Sequence, residues 1–165
     1  MGHGKTHAPF AGRRYYLSCP DRFRALRSYM SWCPADGPKP ARFSVMTGNA
    51  GHLLVAHGSS DARWRAPFEE LARQLAVRHP ACLVALSYLE KCPPDVPAAL
   101  DDLYYRGCRH IRVSPLFLSH GAHLTRDLPD LLCAFSDRHP DLVIVCDPAL
   151  GERPDFQAAL LAVLA

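Results

Sequence analysis

From residue 51 onward, short apolar runs take turns with longer stretches whose apolar residues lie three and four apart. The first run, Leu53–Ala56, reads as a buried strand. Phe68, Leu71, Ala72 and Leu75 then recur at helical spacing until His79-Pro80 stops the helix. Cys82–Tyr88 reads as the second strand. A helix opened by Pro94-Asp95 carries Val96, Leu100 and Leu103 and ends at Gly107. His110–Leu116 is predicted as the third strand. The third helix bears Leu128, Leu131, Leu132 and Phe135, with Asp127 as its expected N-cap and Pro129 in its first turn. Leu142–Cys146 is the fourth strand, and a last helix sets Phe156, Leu160, Val163 and Leu164 on one face. This βαβαβαβα order predicts right-handed crossovers and one α/β domain, a four-stranded parallel sheet with helices on both faces.

A faint repeat supports the same frame. Arg78-His79-Pro80 leads into Cys82-Leu83-Val84, and Arg138-His139-Pro140 leads into Leu142-Val143-Ile144. Each pairs basic residues that suit a helix C-terminus with a proline that ends the helix. His79 and His139 are therefore read as structural, and His110, before the third strand, falls on that same N-terminal edge of the sheet.

The first 45 residues break the pattern. They hold eight Lys/Arg against Asp21 and Asp36, a net of +6, and only Leu17, Leu26 and Val45 as Leu, Ile or Val. Such a composition buries too little to offset its ordering entropy. Residues 1–49 are expected to be a poorly structured extension, with Met46 a possible start of the native product, and residues 50–165 the folded domain. No apolar h-region marks a secretory signal. The Arg-rich, acid-poor composition weakly resembles an organelle transit peptide, and Tyr15, Tyr16 and Trp32 would suit a nucleic-acid arm.

Residues 46–165 carry a net of −3, so the larger part is not a basic nucleic-acid binder, and no apolar run reaches the ~18 residues of a membrane span. The seven cysteines are odd in number and none pair as C-x-x-C. Free thiols in a reducing cytoplasm explain them better than disulfides or a zinc site.

Chemistry collects at the C-terminal edge of the predicted sheet, the usual place of an α/β active site. His57 follows strand one in Ala56-His57-Gly58-Ser59, Glu90 follows strand two, and His120 and His123 follow strand three in a loop opened by Gly121. Two neutral imidazoles facing each other suit a divalent transition metal, and a nearby carboxylate suits a proton acceptor. A flavodoxin-like anion loop at His57-Gly58-Ser59-Ser60 is the competing reading. Neither a Walker A nor a G-x-G-x-x-G sequence supports it.

Ala56-His57-Gly58-Ser59, Phe68-Glu69-Glu70-Leu71-Ala72, Tyr88-Leu89-Glu90, Pro115-Leu116-Phe117-Leu118 and Gly121-Ala122-His123-Leu124 through Asp127-Leu128-Pro129 occur in this order. Together they resemble the small sirohydrochlorin chelatases, the CbiX/SirB group of class II chelatases, over about residues 50–150. The resemblance implies a chelatase-type fold and a lyase that inserts Co²⁺, or next Fe²⁺, into sirohydrochlorin in cobalamin or siroheme synthesis. It maps the metal-binding and catalytic histidines onto His57 and His123, and the acidic residue after strand two onto Glu90. The metal is then a substrate, and no tightly bound cofactor is expected. Short members act as homodimers, whereas longer relatives fuse two halves.

Cationic and polar groups near the loops are expected to meet the carboxylates of sirohydrochlorin, with Ser59, Arg63, Arg65, His120 and Arg126 as candidates. The expected partners are the tetrapyrrole, the metal ion and a second copy of the chain, with no nucleic acid or membrane. A non-catalytic metal or tetrapyrrole carrier would use the same histidines.

Overall fold

A computed structural model describes residues 50–119 and 122–165, with the side chains of residues 122–126 left outside the description. Expectations for residues 1–49 fall outside it. The elements run β1 (Ala50–Ala56), α1 (Ala62–Arg78), β2 (Cys82–Tyr88), α2 (Val96–Tyr105), β3 (His110–Pro115), α3 (Ala122–Arg138), β4 (Val143–Cys146), a 3₁₀ turn (Leu150–Glu152) and α4 (Pro154–Leu164). The predicted α/β order holds. The four strands are parallel in the order β2-β1-β3-β4, with Ala50 paired to both Cys82 and His110.

β1 is central, and its sequence shows why. Leu53, Leu54, Val55 and Ala56 are all buried, so both faces of the strand are covered, as a continuous apolar run requires. Leu53, Val55, Ile111 and Val113 point to one face and meet Val96, Leu100 and Leu103 of α2 and Leu128, Leu132 and Phe135 of α3. Each of these large side chains stabilises the fold by roughly 1.5–3 kcal/mol relative to exposure. Right-handed crossovers put α1 on the other face, where it packs on β2. Asp61 caps α1, its carboxylate accepting from Arg63 N at 2.9 Å, and Asp95 caps α2 through Ala98 N at 2.8 Å.

Several boundaries differ from expectation. β1 starts at Ala50 rather than Leu53, β3 ends at Pro115 and β4 starts at Val143. Leu116 still donates to Val55 O at 2.8 Å, so the pairing outlasts the strand. The larger correction concerns α3, which begins at Ala122. Asp127 therefore lies inside the helix and is not its N-cap, and Pro129 is an interior proline. An interior proline costs about 3 kcal/mol. Burying Leu128, Leu132 and Phe135 on the same helix outweighs that cost.

Candidate active site at the C-terminal edge of the sheet

The β2-β1-β3 order brings the loops after these three strands to one edge. The loop after β1 is held by its own polar residues. Asp61 N donates to Ser59 Oγ at 3.1 Å, and the Asp61 carboxylate caps α1. Gly58 has φ of +102°, and a Cβ there would lie 1.9 Å from the carbonyl oxygen of Glu90. Only glycine allows both the conformation and the approach. Leu89 N donates to Ala56 O at 3.0 Å and Glu90 N to His57 O at 3.1 Å, so the β1–β2 ladder runs on into the loops.

This continuation sets His57 and Glu90 side by side. His57 Nδ1 lies 3.7 Å from Glu90 Oε1, which is itself 3.4 Å from Lys91 Nζ. The side chains are about half exposed. At 3.7 Å the His57–Glu90 contact is longer than a hydrogen bond. Beside Glu90, a shallow cleft of about 330 Å³ is lined by Tyr88, Leu89, Lys91, Cys92, Pro93 and Asp95.

From the third strand, Phe117 presents its ring edge-on to His57, with centroids 6.4 Å apart. Leu118 and Ser119 are exposed. His123 falls in the first turn of α3 by its backbone, while its side chain, that of Arg126 and all of His120 lie outside the described residues. Among the described residues, no group of three or more His, Cys, Asp or Glu could hold a metal ion.

The remaining candidates are already engaged. Arg63 Nη2 pairs with the capping Asp61 at 2.9 Å on the surface. Arg65 Nε faces Glu69 Oε1 at 3.7 Å, and that nitrogen is buried without a hydrogen-bond partner, as is the Tyr88 hydroxyl. Ser59 is half-buried in its loop.

A polar cluster that the sequence reading missed lies on the sheet face away from the α2–α3 core. His52 Nε2 is 2.8 Å from Ser114 Oγ, Ser114 donates to Asp147 Oδ2 at 2.7 Å, and Arg112 Nε donates to the same oxygen at 2.6 Å. Since the Ser114 proton goes to Asp147, His52 donates through Nε2. Burial first, then the Arg112 charge, lowers the His52 pKa to about 4, against an opposing pull from Asp147. The signal was present: His52, Arg112 and Ser114 break the apolar runs of β1 and β3 at alternate positions.

The CbiX family model matches residues 51–165. The chain belongs to the CbiX family. Sirohydrochlorin cobaltochelatase of Methanocaldococcus jannaschii is 34% identical over 87 residues, which cover 53% of this chain and 61% of that protein. The matched region thus spans less than two thirds of that curated relative's length. A CbiX protein of Marinobacter aquaeolei, described as a putative cobalamin biosynthesis protein, superposes with a TM-score of 0.61 at 30% identity. The superposition covers 70% of this chain and 91% of that one. The sirohydrochlorin chelatase SirB of Bacillus subtilis, solved with cobalt, shares the fold at a TM-score of 0.62 and 22% identity. It covers 70% of this chain but only 50% of SirB.

Proposed function

We propose that this CbiX-family chain inserts a divalent metal, Co²⁺ in preference to Fe²⁺, into sirohydrochlorin. The observation that carries the reading is the locked register of the first two loops, which holds the His57 imidazole 3.7 Å from the Glu90 carboxylate on the edge where His123 enters α3. Insertion replaces two pyrrole N–H protons by one M²⁺ and releases two protons. His57 and His123 would hold the arriving ion, and Glu90 would orient His57 or receive a pyrrole proton. Lys91, beside Glu90, and the sequence candidates Arg63, Arg65, Arg126, His120 and Ser59 would meet the carboxylates of the macrocycle. Imidazole donors alone favour Ni²⁺, Cu²⁺ or Zn²⁺, so the choice of cobalt falls to geometry and supply.

The functional unit in this reading is residues 50–165, with residues 1–49 an extension, working in the cytoplasm as a homodimer. No helix among the described residues is long and apolar enough to cross a membrane. Support for the dimer comes from SirB, in which this fold matches half the chain, and from α4, whose Leu160, Leu161, Val163 and Leu164 are all exposed.

The test is anaerobic absorbance of sirohydrochlorin with Co²⁺ or Fe²⁺, comparing wild type, His57→Ala, His123→Ala and no protein. Many turnovers by wild type and losses of at least about 100-fold in both variants are expected, the scale on which removing a group from reaction geometry acts. Tight Co²⁺ binding with no turnover would move the carrier reading to the front.

A further inference from the structure

We propose that Gly151, outside every motif of the site, is a positioning residue that sets Phe117 and Leu118, after β3, against His57. The inference deepens the chelatase reading and rests on it for its kinetic arm. Gly151 N donates to Phe117 O at 3.0 Å. A Cβ at Gly151 would lie 1.7 Å from Leu118 O, 2.4 Å from Leu118 C and 2.7 Å from Leu118 Cα, so a peptide plane of the β3 loop lies flat against this glycine. All three contacts are backbone, and no side-chain rotation relieves them.

Which partner yields is decided by anchoring. The turn that carries Gly151 is tied to the sheet at its start and braced within itself. Asp147 N donates to Val113 O at 2.8 Å, Ala149 is buried, and Glu152 N and Arg153 N close back on Ala149 O and Leu150 O at 3.0 Å each. Gln157 Nε2, from the first turns of α4, donates to Gly151 O at 2.7 Å. The loop, by contrast, exposes Leu118 and Ser119. Any side chain at residue 151 therefore pushes the loop, by more than about 1 Å, a displacement that can cost 100-fold in rate when it misplaces reacting groups. Phe117, whose ring meets His57, moves with it.

The experiment uses the full chain and reads Co²⁺ affinity without tetrapyrrole in wild type, Gly151→Ala, His57→Ala and the double variant, then kcat and KM with sirohydrochlorin. Gly151→Ala is expected to weaken Co²⁺ binding about tenfold and to lower kcat at least tenfold with KM within about twofold. In the His57→Ala background it should add nothing to the loss of affinity, because its effect passes through that residue. Gln157→Ala, which loosens the turn without a clash, is expected to lower kcat a few-fold and guards against a poorly folded Gly151→Ala. Unchanged Co²⁺ affinity in a folded Gly151→Ala, or a full additional loss in the double variant, would overturn the proposal. Wild type that binds Co²⁺ without turning over sirohydrochlorin would overturn the chelatase activity instead, with the affinities still deciding the role of Gly151.

Discussion

Among the described residues there are four α-helices, and they divide into two unlike pairs. α2 and α3 are closed against the sheet: Leu100, Leu103, Leu128, Leu132 and Phe135 are essentially inaccessible. α1 and α4 contain no buried residue, and Val77 of α1 and Val163 of α4 are 70% and 82% exposed. The sequences do not announce this, since α4 is the more apolar of the two open helices. Amphipathic spacing identifies a helix, whereas its burial depends on whether another layer is present to receive its face. In this chain stability is concentrated on the α2–α3 side. The other side is left to a half-covered helix, a polar cluster and an apolar helix that extends from a tight turn.

The strongest test of the contrast is truncation in the closed pair. Phe135→Ala removes a fully buried ring shared with Leu128 and Leu132, and is expected to cost about 3–5 kcal/mol by urea unfolding. Leu71→Ala on α1, where the side chain is 46% exposed, should cost well under half of that. Equal losses would mean that α1 is covered in solution by something beyond the described residues.

A second test lies at the edge both pairs share. Gly58→Ala must strain a residue at φ +102° and drive a methyl into the Glu90 carbonyl, so about 1–3 kcal/mol of stability is expected to be lost. The larger consequence is local, because the clash separates the loops that hold His57 and Glu90. Chelatase turnover should fall further than the unfolding midpoint alone accounts for. Activity that tracks the folded fraction would sink this link.

The open side has its own signature in pH. The folded state holds His52 neutral, with its pKa down at about 4, while the unfolded chain titrates near 6.5. Stability from this group is full above pH 6.5. It declines as the unfolded chain takes up its proton, until the folded imidazole protonates near 4. Between pH 6.5 and 5 the decline attributable to His52 amounts to about 2 kcal/mol. His52→Gln, which does not titrate, should flatten that part of the urea-midpoint profile. Parallel profiles for the two proteins would show that Asp147 and Arg112 admit the imidazolium more readily than the burial of His52 suggests.

These tests separate what could be read along the chain from what could not. The strand–helix alternation was legible because Leu53–Ala56, Cys82–Tyr88 and the prolines at 80, 94 and 140 act locally. The meeting of His57 with Glu90 followed from topology, since parallel neighbours send both loops to one edge. The start of α3 was misread because Asp127 and Pro129 mimic a helix N-terminus, and only tertiary burial overrides that signal. The His52–Ser114–Asp147 cluster joins residues 33 and 62 positions apart, and its hydrogen bonds depend on strand register. Gly58 and Gly151 each matter for a backbone atom of another loop, and such a contact leaves no pattern in sequence.

The smallest effect on monomer stability is expected at α4, and there it carries the most information. Leu161 and Leu164 contact too little of the domain to support it, so Leu161→Glu with Leu164→Glu should shift unfolding by no more than about 0.5 kcal/mol in dilute protein. In sedimentation at higher concentration the same pair should convert a dimer to a monomer, because two carboxylates buried in a self-complementary apolar contact would lack partners. Dimers that persist would place the association elsewhere on the molecule, and α1, with Val77 exposed, would be the next surface to charge. A wild type that is monomeric throughout would leave α4 apolar for a reason within the chain.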